Sequence, residues 1–202
     1  MGLKDAKIKY IIDRATELFL QRSVGEVTVK DISDAVGVGE ATVYRYFGKK
    51  QNIVIKSALN LQNEVYQRFF KLKGSCGYDK LKAFYDGYLQ VFLAHAEYYR
   101  FISGFDAFMI SERNLELEEY SEGLDIFIKE YLAAYREGLN DGSIREIEDV
   151  ETFYYATAHS VLELCKKLAG TDIVKQDAQI AKETEIKRLI DIILYNVKNP
   201  SA

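Results

Sequence analysis

The sequence predicts an all-α protein, and three features of the chain lead to this prediction. Its only proline is Pro200, so every segment before the tail can run as uninterrupted helix. No run of alternating β-branched residues bounded by turn signals occurs in the sequence. Apolar residues instead recur at helical spacing along most of the chain. We therefore expect an N-terminal three-helix domain that contains a helix-turn-helix, followed by a larger helical domain.

The first predicted helix is marked by an apolar stripe with i, i+3, i+4 and i+7 spacing. The members of this stripe are Ile8, Ile11, Ile12, Ala15, Leu18 and Phe19. The stripe is placed to cover the inner face of the segment that follows it in the chain. We expect this helix to be the first of the three in the N-terminal domain.

Residues 28–50, TVKDISDAVGVGEATVYRYFGKK, have the order of a helix-turn-helix. Thr28 and Asp31 form the start signal of a short helix, because their side chains can satisfy free N–H groups of the first turn. Gly37 can take the left-handed conformation that ends this helix. A second short helix is predicted from Glu40 to Phe47, with Val43 and Phe47 facing the core.

The rest of the chain divides into further helices at clusters of turn residues. A long fourth helix is predicted over 49–72, and the Gly and Ser residues of 74–77 end it. Helices over 78–94, 98–110 and 114–139 follow, the last of them stopped by the turn residues 140–143. The final two helices are predicted over 150–168 and 183–198. The last carries an apolar stripe that consists of Ile186, Leu189, Ile190, Ile193, Leu194 and Val197.

At the helix-turn-helix the chain resembles the TetR family of bacterial transcriptional regulators. The resemblance rests on a threonine-led helix, Gly-Val at the turn, an aromatic-rich second helix and a lysine after it. The matching residues are Thr28, Ile32, Ala35, Gly37, Val38, Thr42, Tyr44, Tyr46, Phe47 and Lys50. This match covers about the first quarter of the chain.

Four positions depart from the family pattern. Ser23 and Val24 replace the usual glycine and aromatic residue, and Gly39 stands where the family usually has a serine N-cap. A glycine cap costs only about a few tenths of a kcal/mol. Glu40 either lies solvated in the first turn, which suits the helix dipole, or accepts a hydrogen bond from a cytosine amino group.

The resemblance implies a homodimeric DNA-binding regulator, with a repressor expected. Its DNA-binding domain would span 1–50, and a helix at about 49–72 would link it to an effector-binding and dimerisation domain over 51–202. The two recognition helices would enter successive major grooves of a palindromic double-stranded operator, about 34 Å apart. The last two long helices would pair between subunits, and Ala156 and Ser160 with the final apolar stripe suit such packing.

The resemblance and the residue chemistry together give a set of candidate DNA contacts. We expect the backbone-contacting residues to fix the register on the duplex and the base-edge candidates to read its sequence. The candidates for phosphate contact and for the basic face are Thr28, Lys30, Tyr46, Lys49 and Lys50. The candidates on the base-reading side of the second short helix are Glu40, Ala41, Thr42, Tyr44 and Arg45.

Aromatic residues crowd the middle of the chain. Twelve of the fifteen tyrosines and nine of the eleven phenylalanines lie beyond residue 50. Each one alone is most simply core, but so many tyrosine hydroxyls suggest a pocket for a small hydrophobic or aromatic ligand, as the resemblance also implies. The candidate ligand-binding residues are Tyr85, Tyr88, Phe92, His95, Phe101, Phe105, Phe108, Phe127, Tyr131, Tyr155 and His159. Two alternatives stay open, a helical ligand-binding or enzymatic protein and a DNA-binding protein without an effector.

Composition narrows the function classes further. The net charge is −4, yet residues 1–50 hold nine Lys and Arg against seven Asp and Glu, so a compact basic face is expected there. No HExxH, GxSxG or GxGxxG motif occurs, which argues against an enzyme, a metal site or a cofactor. Cys76 and Cys165 lack metal spacing and are expected as reduced thiols. Because no apolar run is long enough to span a bilayer, a cytoplasmic protein without a membrane partner is expected.

Overall fold

The all-α prediction is confirmed by a computed structural model that describes residues 2–112, 117–170 and 180–201. Within these residues the chain forms nine α-helices, and its only β-bridge is an isolated one between Ile144 and Lys198. The helices are α1 (Leu3–Gln21), α2 (Val29–Val36), α3 (Glu40–Phe47), α4 (Lys50–Phe69), α5 (Gly77–Ala94), α6 (Ala96–Ser111), α7 (Glu118–Asp141), α8 (Val150–Ala169) and α9 (Lys182–Val197).

Most predicted helix bounds lie within two residues of the observed ones. Helix α3 begins and ends at the predicted residues, whereas α4 ends at Phe69 and not near Leu72. The predicted start of α7 at Asn114 lies outside the described residues, and the described part of that helix begins at Glu118. Helix α7 ends at Asp141, where Gly142 takes a φ of 76°, so the predicted turn residues do end it.

The described chain divides into two compact units. Their bounds differ from those of the predicted DNA-binding and effector-binding domains, which meet at residue 50. The first unit comprises Met1–Glu64 and Arg100–Gly123, and the second comprises Val65–Tyr99 and Leu124–Ala202. Residues 51–64 and 100–123 therefore belong to the same compact unit as the helix-turn-helix. The functional boundary at residue 50, between DNA binding and effector binding, stays a prediction.

In the first unit, α1 packs on α2 and α2 packs on α3. Of the predicted stripe on α1, Ile11, Ala15 and Phe19 are buried and the other three members are half-buried. Phe101 of α6 lies 6.4 Å from Phe19 between ring centroids. The predicted role of α1, to cover the inner face of the helix-turn-helix, is confirmed by this packing.

In the second unit, α5, α8 and α9 pack on one another around an aromatic core. Rings contact each other edge to face, for example Phe84 with Tyr131 at 5.3 Å and Phe70 with Phe127 at 5.0 Å between centroids. Cys165 is buried in this core as a free thiol, and burial raises its pKa to about 12. Cys76, also a free thiol, is half-buried at the N-cap of α5.

The apolar stripe of α9 faces the core of its own subunit. Its members Ile186, Ile190, Ile193, Leu194 and Val197 are all buried there, and Leu189 is partly buried. The expectation that this stripe packs between subunits therefore needs correction, because its surface is already covered within the protomer. Ala156 and Ser160 of α8, which were expected beside it, are exposed.

Candidate nucleic-acid interface

Helix α2 begins at the predicted capping box. The Thr28 hydroxyl and the Thr28 amide each donate a hydrogen bond to Oδ2 of Asp31 at 2.7 Å, and the Asp31 amide donates to the Thr28 hydroxyl at 3.1 Å. These bonds from Thr28, with Arg22 at 3.3 Å as a lesser cause, lower the pKa of Asp31 to about 2. The predicted start signal is confirmed, and the Thr28 side chain is occupied in the cap.

The turn between α2 and α3 is built on Gly37. This residue has φ 70° and ψ 34°, the left-handed conformation predicted for it, and no Cβ clash opposes that geometry. The Val38 amide donates to the Ser33 carbonyl at 3.1 Å, which closes the turn. Gly39 follows as the N-cap of α3 in an extended conformation without a side-chain cap. The departure from a serine cap therefore leaves the helix intact.

Helix α3 buries one face and presents another. Val43 is 1% and Phe47 5% exposed, so the two residues predicted to face the core do so. On the opposite side, four residues form what we call the α3 outer surface, namely Glu40, Ala41, Tyr44 and Arg45, all of them exposed. The Arg45 guanidinium lies 5.3 Å from the centroid of the Tyr46 ring, and Tyr46 and Thr42 are half-buried beside it.

The predicted lysines differ in their surroundings. Lys30 is exposed, and Lys49 is half-buried. The Lys50 ammonium instead donates to the Val24 carbonyl at 2.6 Å and lies 4.7 Å from the centroid of the Phe108 ring. Burial is the main cause that lowers the pKa of Lys50. This placement favours a structural role for Lys50, in which it holds the loop after α1, over the predicted phosphate contact.

Two residues that end α3 were missed by the sequence reasoning. Gly48 has φ 72°, and its amide donates to the Tyr44 carbonyl at 2.7 Å. The Asn52 side chain donates to the Phe47 carbonyl at 2.7 Å, which satisfies a further free carbonyl of the helix end. The glycine directly after the last apolar residue of α3 was the available signal.

The eleven candidate ligand-binding residues are distributed over both compact units. Phe101, Phe105 and Phe108 belong to the first unit. In the second unit, four candidates lie in the packed aromatic core, namely Tyr85, Tyr88, Phe127 and Tyr131. The Tyr85 hydroxyl lies 2.7 Å from that of Thr157, so a polar group does lie within this core.

The remaining four candidates lie at the edge of the second unit. Phe92 packs against the aromatic core, with its ring centroid 6.5 Å from that of Tyr99. His95 ends α5, where its ring nitrogens lie 2.6 Å from Arg68 and 3.1 Å from Glu97. The last two candidates, Tyr155 and His159, are exposed neighbours on α8. The structure therefore separates the candidates into several environments.

Among residues 2–112, 117–170 and 180–201, no group of three or more His, Cys, Asp or Glu side chains is placed to hold a metal ion. Within the same ranges, no helix has both the length and the apolar character that a membrane span requires.

Comparisons with known proteins agree with this geometry. Residues 11–56, which include α2 and α3, match the family model described as bacterial regulatory proteins of the tetR family. No curated protein sequence matches the chain.

Solved structures share the fold over nearly the whole chain. A protein assigned to the TetR family from Mesorhizobium loti has a TM-score of 0.71 at 14% identity, with 98% of this chain and 100% of that chain covered. PfmR from Thermus thermophilus has a TM-score of 0.61 at 22% identity, with 92% and 97% covered. NalD, the secondary repressor of the MexAB-OprM multidrug efflux pump in Pseudomonas aeruginosa, has a TM-score of 0.59 at 18% identity, with 98% of both chains covered.

The family model covers the helix-turn-helix, and the structural likeness extends through the helices that follow it. The α3 outer surface lies on the exposed side of a two-helix corner in which α2 has a capping box and both helices end at a glycine. Residues 11–56 are therefore similar to the helix-turn-helix of the TetR family, and the fold of the whole chain is that of solved structures assigned to this family.

Proposed function

We propose that this protein is a DNA-binding transcriptional regulator of the TetR family, and that it is a homodimeric repressor that a small molecule releases from a palindromic operator. The observation that carries the DNA-binding half is the α3 outer surface, because its four residues are exposed while the opposite face of the helix is buried. A helix of this kind can enter the major groove with its N-terminal residues next to the base edges. The two-fold symmetry of a dimer matches two half-sites about one helical turn apart.

Arg45 is the leading candidate for a base contact. Apart from its position over the Tyr46 ring, its guanidinium has no hydrogen bond or ion pair with any described residue, so it is available for guanine O6 and N7. Glu40, in the first turn of α3, is placed to accept from a cytosine amino group. Thr42 and Tyr44 complete the base-reading candidates, with Ala41 beside them.

We assign the phosphate contacts to residues near the corner between α2 and α3. Lys30 and Lys49 supply positive charge, and Tyr46 supplies a hydroxyl donor. At Thr28 the backbone and side chain are engaged in the capping box, so Thr28 contributes chiefly by holding the N-terminus of α2. We assign Lys50 to the support of the corner, since its ammonium is already bonded to the Val24 carbonyl.

We assign the dimer contact to the faces of α8 and α9 that are exposed in the single protomer. On α8 the exposed side chains lie at positions three to four residues apart, namely Thr152, Tyr155, Ala156, His159, Ser160 and Glu163. On α9, Ile192 is 54% and Tyr195 is 85% exposed. Exposed apolar side chains on two neighbouring helices are typical of an interface.

The repressor and ligand parts of the proposal are supported by the shared fold. NalD, which has this fold, is a repressor of a multidrug efflux pump by its description. A ligand that binds one conformation better than another shifts the population toward it, and α4 is the natural lever because it begins two residues after Gly48.

A second candidate, a DNA-binding regulator without an effector, is favoured by one observation. The rings of Phe70, Phe84, Tyr88 and Tyr131 contact one another edge to face at 5.1–5.8 Å, as expected for a filled core. Aromatic residues packed in this way need no ligand to bury their surface.

The DNA-binding assignment is tested with an operator selected from random double-stranded DNA. We expect Arg45→Ala to weaken operator binding by about 1 to 3 kcal/mol and to relax the base preference at one position of each half-site. Arg136→Ala is the matched control, because Arg136 is an exposed arginine on α7 in the second unit. Unchanged affinity and base preference for Arg45→Ala in a gel-shift titration would remove this residue from base recognition.

The ligand half is tested separately. A compound library is screened for molecules that raise the melting temperature of the full-length protein, and each hit is then titrated against the operator complex. Hits that weaken operator binding support ligand release. Hits that stabilise the protein and leave operator affinity unchanged, or a library without hits, favour the regulator without an effector.

A further inference from the structure

Gln62 on α4 holds a buried carboxamide without a partner. Its side chain is only 3% exposed, and neither Nε2 nor Oε1 has a hydrogen-bond partner. Buried polar groups are nearly always paired, because an unpaired one loses its bonds to water and gains none in return. A whole carboxamide left in this state marks a position where a partner is missing.

The carboxamide lies at a close crossing of α4 and α7 in the first unit. A Cβ atom on Gly123 of α7 would lie 3.4 Å from Oε1 and 3.5 Å from Nε2 of Gln62, and only 2.9 Å from a methyl group of Leu59. One turn earlier on α7, Glu119 pairs with Lys56 of α4 at 3.7 Å. The two helices therefore meet along one turn of each, and the absent side chain at position 123 gives the carboxamide its space.

Two open grooves share the residues of this crossing. One, of about 390 Å³, is lined by the apolar side chains of Ile8, Ile12 and Leu59 together with seven polar or charged residues. The other, of about 680 Å³, is lined by residues that include Phe47 and Ile55. Lys56 and Glu119 line both grooves, so the crossing of α4 and α7 lies between the two grooves. Each groove is large enough for a small molecule beside the crossing, although Gln62 itself lines neither of them.

The polar and charged groups at the crossing of α4 and α7 favour a ligand without a net charge. A carboxamide donates from nitrogen and accepts at oxygen, so the group that satisfies both at once is another planar amide, either a primary amide or a lactam. An ionised carboxylate would be repelled by Glu118 and Glu119, since the two lysines that line the grooves are already paired, Lys56 with Glu119 and Lys9 with Asp13. The apolar side chains of the smaller groove, Ile8, Ile12 and Leu59, suit a hydrocarbon tail.

We propose that Gln62 is the hydrogen-bonding anchor for a neutral amide-type effector, which binds between α4 and α7 at Gly123. This inference deepens the proposed ligand control and rests on it. Because α7 closes over the carboxamide, the ligand must part the two helices to form its bonds. It therefore binds the parted arrangement better, which is the differential affinity that a switch requires. Helix α4 transmits the displacement, since its first residue, Lys50, supports the corner that holds α3.

The first test needs no ligand. Gln62→Met keeps the side-chain length and removes the unpaired polar atoms, so we expect the melting temperature of the ligand-free full-length protein to rise by about 2–6 °C. Gln67→Met is the matched control, because Gln67 is an exposed glutamine on the same helix, and it should change the melting temperature by less than about 1 °C. A fall in the melting temperature of Gln62→Met, or of the second variant Gln62→Leu, would show that the carboxamide has a partner and would overturn the proposal.

The second test uses primary amides from propanamide to octanamide as probes, with methyl ketones and carboxylates of the same chain lengths for comparison. Calorimetry should show the amides binding to the wild-type protein and to Gln67→Met, at least ten-fold weaker binding to Gln62→Met, and weaker binding of the ketones and carboxylates. Amides that fail to bind, or that bind Gln62→Met equally well, overturn the anchor. Neither test involves DNA, so an amide that binds as expected without affecting the operator complex contradicts ligand release alone.

Discussion

Lys49 and Lys50 are adjacent lysines, but their ammonium groups have different surroundings. The Lys50 ammonium donates to the Val24 carbonyl and lies over the Phe108 ring, whereas the Lys49 ammonium has no hydrogen bond or ion pair with any described residue. Only a side chain without an internal partner can turn to a phosphate at no cost to the fold. The surroundings of the two side chains therefore distinguish Lys50, which supports the fold, from Lys49, which we expect to contact DNA. The order of residues in the sequence does not give these surroundings.

Replacing Lys50 with methionine should destabilise the protein. The change keeps much of the apolar stem and removes a charged hydrogen bond, so we expect a loss of about 1 to 2 kcal/mol and a fall in melting temperature of about 2–8 °C. Lys49→Met should change stability by less than about 0.5 kcal/mol and should instead weaken operator binding. Equal melting temperatures for the two variants in parallel thermal melts would contradict the supporting role of Lys50.

The capping box predicts an acid-sensitive contribution to stability. The folded pKa of Asp31 is about 2, below the ordinary aspartate value of 3.8, because Thr28 donates to the carboxylate. A lowered pKa means that the stabilisation is complete above about pH 4 and is lost as the pH falls toward about 2. Asp31→Asn should remove this part of the acid dependence in denaturant titrations across that window. Asp34→Asn, an exposed change on the same helix, should retain it.

Whole helices were more predictable than the surfaces that cover them. Both ends of α3 were located because a turn precedes it and its buried pair, Val43 and Phe47, fixes its face. The stripe on α9 was equally visible, yet periodicity only shows that Ile190 and its neighbours are apolar. It does not show whether their own protomer or a second copy buries them. The aromatic residues posed the same problem, since composition predicts burial and does not predict which rings fill one another's space.

The end of α3 depends on the backbone of Gly48. With φ at 72° this position is strained for any other residue, so Gly48→Ala should cost about 1 to 3 kcal/mol and reduce operator affinity by loosening α3. Gly39→Ala is the control at the other end of the same helix, because Gly39 has φ −73° and open space around its Cβ position. Thermal melts in which Gly39→Ala is the more damaging change would place the constraint at the start of α3 instead.

At the scale of the whole molecule, charge is distributed unevenly along the chain. Residues 1–50 hold nine Lys and Arg against seven Asp and Glu, whereas the remainder holds 18 against 24. Phosphate repels the acidic remainder, so the basic side chains near α3 must provide the attraction. With so small an excess in each copy, a pair of copies bound to adjacent half-sites gains far more affinity than one copy alone. We therefore expect the assembly of two copies to contribute to DNA recognition.

The outward faces of α8 and α9 should hold the two copies together. Ile192 and Tyr195 are exposed in the single chain, and replacing both with glutamate would bury unpaired carboxylates in the proposed contact. We expect this double variant to sediment as a monomer at concentrations where the wild-type protein sediments as a dimer. It should then bind a palindromic operator no more tightly than a single half-site, because only a dimer presents two α3 helices. Tyr10→Glu, at a half-exposed tyrosine of α1, should leave the dimer intact. A double variant that stays dimeric would place the contact on another surface.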